Sequence, residues 1–128
     1  MSNILEQNLS LVFNERDSQK RLVALADLYT ADAVMYEPEN IVVGQAAISS
    51  TIDSLLASLP PGFRFVPQSV AVGHHDLFCM RWTGITPDGE VIVSGSDVAH
   101  LRDGRIASLY VLIDPPTTQA EQGAGVNG

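Results

Sequence analysis

The sequence predicts an α+β domain in which helices cover one side of a β-sheet. Apolar residues recur at helical spacing through the first 59 residues, Pro60-Pro61-Gly62 then breaks the chain, and the period changes from 3.6 to 2 over the residues that follow. At 128 residues there is material for one core and not for two. We read residues 1–114 as a single domain. Residues 115–128, polar, rich in Pro and Gly and without periodicity, read as a flexible tail.

The first helix starts from Ser2 or Asn3 and carries Ile4, Leu5, Leu9, Val12 and Phe13 on its apolar face, with Glu6 in the first turn where the helix dipole favours an acid. A second begins after Asp17 or Ser18 and presents Leu22, Leu25, Ala26, Leu28 and Tyr29. Residues 33–37 are strand-like and stop at Pro38, which has no N–H to donate and restricts the residue before it. The third helix follows Gly44, repeats Ile48, Ile52, Leu55, Leu56 and Leu59, and ends at the double proline. Beyond the break, residues 63–72, 77–85, 91–101 and 106–113 alternate as four strands. Their connections are Gly73-His74-His75-Asp76, Thr86-Pro87-Asp88-Gly89 and Asp103-Gly104.

Composition narrows the function classes. A net charge of -8 without any Lys/Arg cluster disfavours nucleic acid and anionic membranes as partners. Cys79 is the one cysteine, which excludes an intrachain disulfide framework and a cysteine-based zinc site. The N-terminal residues lack a basic segment followed by an apolar run, and no apolar stretch nears the eighteen or so residues of a membrane helix, so the expectation is a soluble cytoplasmic protein. Rossmann, P-loop and Gly-x-Ser-x-Gly patterns do not occur. His74 and His75 are adjacent and His100 is distant, a poor metal-ligand spacing, so no metal is assigned.

One residue breaks the pattern around it. On the third of the late strands Val91, Val93, Ala99 and Leu101 share one parity, and Asp97 falls in register with them. A carboxylate on a core face costs several kcal/mol unless it is paired, hydrogen-bonded or protonated. Asp97 points inward as a poised acid, or binds backbone amides in a structural role, or a bulge at Gly95 flips the parity and turns it outward. Glu37 ends the first strand, and the short alternation there leaves open whether Tyr36 or Glu37 faces inward. Two carboxyl groups converging on one apolar cavity would separate into an acid and a base. Trp82, Met80, Phe78, Phe63 and Phe65 are apolar enough to line a greasy pocket, but a sheet-and-helix core needs such residues too, and core is the expected role.

The run from Leu28 through Ala33-Val34-Met35-Tyr36-Glu37-Pro38, Gly44 before the third helix, and Ser96-Asp97-Val98-Ala99-His100-Leu101-Arg102-Asp103-Gly104-Arg105-Ile106 resemble the nuclear transport factor 2-like superfamily. The ketosteroid isomerase and SnoaL-like polyketide cyclase branches are the most similar. The resemblance covers about residues 4–114 and implies a cone-shaped α+β barrel, cystatin-like, with three N-terminal helices packed on a strongly curved antiparallel or mixed sheet around an apolar pocket. It implies catalytic roles for Glu37 and Asp97, the former as base and the latter as a protonated oxyanion donor. Tyr36, His74 and Trp82 then become candidate substrate-binding residues, with no cofactor, a small apolar organic substrate and a homodimer formed through the outer sheet face.

The departures from the family also inform. Isomerase members place an oxyanion-binding tyrosine in the first helix, and residues 5–13 contain none. Such a donor is worth on the order of 3 kcal/mol in the transition state. Steroid isomerisation is therefore disfavoured, and the expected activity is a cofactor-independent isomerase or cyclase of small carbonyl or polyketide-like compounds. The alternatives are an epoxide hydrolase or epoxide-opening cyclase, in which Arg81 tempts a loose alignment with that branch's arginine, and a non-catalytic binding or dimerisation module.

Overall fold

Asn3 opens the chain's first helix with a reciprocal cap: its side chain accepts from the Glu6 N–H at 2.9 Å, and Glu6 accepts from the Asn3 N–H. The computed structural model describes residues 3–116. Helix α1 (Ile4–Gln7) continues as a π-helical turn (Asn8–Phe13), shown by the Asn14 N–H bonding to the Leu9 carbonyl five residues back. The Asp17 side chain caps α2 (Ser18–Leu28) by accepting from Gln19 and Lys20. Gly44, at φ 95°, turns the chain into α3 (Gln45–Ala57), a left-handed conformation that a residue with a Cβ adopts only under strain.

Seven strands follow the expected order with three differences. They are β1 (Tyr29–Tyr36), β2 (Ile41–Val43), β3 (Arg64–Pro67), β4 (Val72–His74), β5 (Leu77–Ile85), β6 (Val91–Arg102) and β7 (Arg105–Ile113). Strand β2 was not expected; its three residues are too few for alternation to register. The single strand expected over 63–72 is two, because Pro67 cannot extend the ladder and Gln68 and Ser69 bond instead to the Arg81 backbone. Tyr29, read as helical, is the first residue of β1.

The sheet runs β2-β1-β7-β6-β5-β3, with β4 also on β5. All neighbours are antiparallel except β1 and β7, which pair in parallel, so the sheet is mixed. The cone-shaped, strongly curved barrel implied by the family resemblance is not formed. The path is open, ending at β2 and β3, which do not pair with each other. Three- and four-residue end strands, one of them finishing on a proline, offer too few donors to close the ring. At the β3 edge a side chain stands in for a strand: Asn14 donates to the Phe65 carbonyl at 2.8 Å and accepts from its N–H at 2.7 Å.

The core lies between the helices and the inner sheet face. Leu5, Leu25, Ile48 and Ile52 meet Ala33, Met35, Ala99 and Leu109, all fully buried. Arg21 is buried among them and satisfied: its guanidinium donates to the Glu15 carbonyl, to the Ser49 carbonyl and hydroxyl at 3.1 Å, and to Asp53 at 2.6 Å. The expected tail lies, from residue 117 onward, outside the described residues.

Candidate functional site

Strand parity decides where Asp97 points. Residues 93–100 of β6 pair with β5 without a break, so no bulge intervenes at Gly95 and Asp97 stays in phase with the buried Ala99 and Leu101. Its neighbours across the sheet are Met80 on β5 and Val111 on β7. Neither carries a charge. The Asp97 side chain is 2% exposed, and it accepts one hydrogen bond, from the Trp82 indole N–H to Oδ1 at 2.9 Å. Oδ2 is buried and without a partner among the described residues.

Burial in this apolar setting pushes the Asp97 carboxyl up to about 7, and the Trp82 hydrogen bond partly offsets the rise by favouring the charged form. Near neutral pH the group is thus divided between acid and carboxylate. Tyr29, fully buried and donating to the Asn8 side-chain oxygen, is held well above its usual value by burial and then by the negative charge of Asp97 nearby. Asn8 Nδ2 is the other buried side-chain polar atom without a partner among the described residues. Neither Asn8 nor Tyr29 was singled out from the sequence, where both read as parts of helical segments.

Glu37 reaches the same space by a different route. Met35 is buried on the inner face, so Tyr36 turns outward and Glu37, one step past the strand, turns back. Pro38 then drives a tight turn in which Glu37 and Asn40 exchange backbone hydrogen bonds of 2.8 and 3.2 Å. The turn sets Glu37 in the wall of a cavity of about 270 Å³.

That cavity is almost wholly apolar. Phe13, Phe63, Phe65 and Trp82 give it aromatic walls, packed edge to face at 5.2–6.1 Å, and aliphatic residues of α3, β6 and β7 fill the rest. Glu37 and Asp97 are the two ionisable residues that line it. The first helix contributes Leu9 and Phe13 there, and no hydroxyl. Phe63 and Phe65, expected as core residues, are both core and cavity wall.

Two expected site residues lie elsewhere. Tyr36 stacks on Tyr110 of β7, with ring centroids 4.4 Å apart, on the outer face. His74 is exposed on β4, against His75, and does not line the cavity, because β4 pairs with the far end of β5 from Trp82. Arg81, alternating with Trp82, projects outward into an ion pair with Asp114 at 2.7 Å and stands outside the cavity. That pairing pulls the Asp114 carboxyl down to about 2. Among the described residues no three His, Cys, Asp or Glu side chains cluster closely enough to hold a metal ion, and no helix is long and apolar enough to cross a membrane.

The family model for a SnoaL-like domain matches residues 11–109, which include β1, the Glu37 turn and all of β6. The chain belongs to the SnoaL-like family. Solved SnoaL-like structures share its architecture. One is a SnoaL-like family protein of Agrobacterium tumefaciens provisionally named an isomerase, 27% identical over 88% of this chain and 95% of that one, with a TM-score of 0.81. Another, provisionally named a polyketide cyclase, from Sinorhizobium meliloti, is 20% identical over 84% and 92% of the two chains, with a TM-score of 0.64. A SnoaL-like protein of Jannaschia, 13% identical, covers 87% of this chain and 83% of its own with a TM-score of 0.65. No curated protein matches the chain.

Proposed function

We propose that this SnoaL-like protein is a cofactor-independent isomerase or cyclase that moves a proton on a small, neutral, mostly apolar carbonyl compound, such as a polyketide-like ketone. The observation that carries the reading is the pair of carboxyl groups in one otherwise apolar cavity, one of them buried and raised to about 7. Glu37 accepts a proton from the carbon next to the carbonyl. The C–H electron pair moves into the new C=C bond, and the carbonyl π pair moves onto oxygen. Protonated Asp97 donates a hydrogen bond to that oxygen, stabilising the enolate more than the ketone. Return of the proton from Glu37 to another carbon completes an isomerisation. Attack of the enolate carbon on a second carbonyl of the same molecule, with a proton passed to the new alkoxide, completes a cyclisation.

The lining suits such a substrate. Aromatic walls hold a flat apolar body, and the lining offers no basic residue to neutralise an anion. The provisional names of the relatives from Agrobacterium and Sinorhizobium agree with this chemistry. The homodimer belongs to the same proposal. Tyr110 and Leu112, exposed on the outer sheet face, form the apolar surface for a second copy to cover, and sedimentation of the purified protein tests it.

Proton exchange tests the activity without knowledge of the natural substrate. A panel of apolar cyclic ketones in deuterated water is followed for deuterium entering next to the carbonyl. The expected result is catalysed exchange that falls about 10²–10⁴-fold in Glu37→Gln and about 10²–10³-fold in Asp97→Asn, with both variants folded by circular dichroism. Wild-type exchange no faster than buffer across the panel overturns the isomerase reading. Label from heavy-oxygen water entering the product of an epoxide would establish the hydrolytic alternative in its place.

A further inference from the structure

We infer that Trp82 is a positioning residue for Asp97: its indole N–H engages Oδ1, so that Oδ2 is the oxygen left to carry the proton. The geometry follows from the sheet register. Met80 sits opposite Asp97 and Trp82 opposite Gly95, which places the indole on the diagonal from the carboxyl group, within reach of a 2.9 Å hydrogen bond. Both residues are buried, and Oδ2 has no partner among the described residues.

The indole is itself held. It stands edge-on to Phe65 at 5.4 Å and 89°, and it lies over Gly95, where an added Cβ would come within 2.7 Å of Trp82 Cζ2. A side chain at position 95 would crowd the ring as well as the Leu112 carbonyl oxygen, 2.2 Å from such a Cβ. The terminal torsion of an aspartate is broad and nearly two-fold, so an unrestrained carboxyl would interchange its oxygens. Indole nitrogen is a donor only. It can bond the carbonyl-like oxygen of the neutral acid or either oxygen of the carboxylate, and with Oδ1 engaged the acidic proton resides on Oδ2.

This assignment deepens the proposed role of Asp97 and rests on it. It narrows the ligand to one presenting a neutral oxygen acceptor to a single O–H donor. The titratable groups that face Asp97 are Tyr29, which feels its charge, and Glu37 in the shared cavity. The flanking Met80 and Val111, and Leu9 and Phe13 from the first helix, are uncharged.

The test reads the two side chains directly, on the whole protein without ligand, and so stands or falls apart from the exchange assay. The indole nitrogen–proton resonance of Trp82 and the side-chain carboxyl carbon of Asp97 are titrated by NMR from pH 4 to 9 in wild type, Trp82→Phe and Asp97→Asn. In wild type both signals should move with one midpoint near 7. Trp82→Phe removes a hydrogen bond that favours the charged form, so the Asp97 midpoint should rise, by about one to two pH units. In Asp97→Asn the indole signal should lose that titration. An indole resonance that ignores the Asp97 midpoint, or an Asp97 midpoint unmoved in Trp82→Phe, overturns the assignment. If Trp82→Phe does not fold, the comparison of wild type with Asp97→Asn decides alone.

Discussion

Arg21 and Asp97 are both buried ionisable side chains, and the protein treats them in opposite ways. Arg21, 0% exposed, donates to two backbone carbonyls, a hydroxyl and a carboxylate, and so fastens α2 to the preceding loop and to α3. Among the described residues Asp97, in the wall of the cavity, has one partner and a buried oxygen without one. The arginine's polarity is consumed by structure. The aspartate's is held in reserve, at a cost in stability that buffer pH can reveal.

That contrast is sharpest in the pH dependence of folding. The Asp97 midpoint is about 7 in the native protein and about 3.9 in an unfolded chain, so between those values the native state keeps a proton that the unfolded state has lost. Stability from this group is complete below about pH 4 and disappears as pH rises to about 7, a loss on the order of 4 kcal/mol. Urea unfolding of wild type should therefore weaken from pH 4 to pH 8 relative to Asp97→Asn, which lacks the linkage. Parallel curves for the two proteins would place Asp97 in a solvated setting. The lowered carboxyls of Asp114 and Asp32 act with the opposite sign, and only below about pH 4, where their protonation removes stability.

The next effect belongs to Arg21. Arg21→Ala should cost about 3 kcal/mol, because carbonyls of Glu15 and Ser49 lose their donors while buried packing is lost with them. Unlike the Asp97 effect it should be the same at pH 5 and pH 8; a cost that changes strongly with pH would show a coupling absent from the contacts described. Ser49→Ala removes one acceptor and leaves the others, for about 1 kcal/mol by the same unfolding measurement. Asp53→Asn comes last. Its side chain is 50% exposed, so solvent screens the pair and less than about 1 kcal/mol is expected. A larger loss would mean that Arg21 depends on that charge rather than on the carbonyls.

Part of the site was readable before any coordinates. Parity alone singled out Asp97, since a period of two is a local property and β6 is long enough to display it over twelve residues. Glu37 was legible as a residue before a proline, yet its direction was not, because the strand ends there and the turn with Asn40 decides which way it faces. Trp82 was read as wall. Its hydrogen bond depends on cross-strand register, which no local pattern reports. Tyr36 and His74 lie outside the cavity for different reasons: alternation after Met35 puts the first on the outer face, and the second sits on a short strand paired with the far end of β5.

Residue order determined the helix starts, the double-proline break, the long strands and the register of Asp97 with core residues, because capping, backbone restriction and side-chain alternation act between near neighbours. Pairing β1 in parallel with β7, leaving the sheet open between β2 and β3, satisfying Arg21 and leaving one Asp97 oxygen without a partner among the described residues were decided by contacts between distant segments. Those contacts depend on strand register and on which groups are shut away from water. Both are properties of the assembled chain, since desolvation exists only once the surrounding layers have closed.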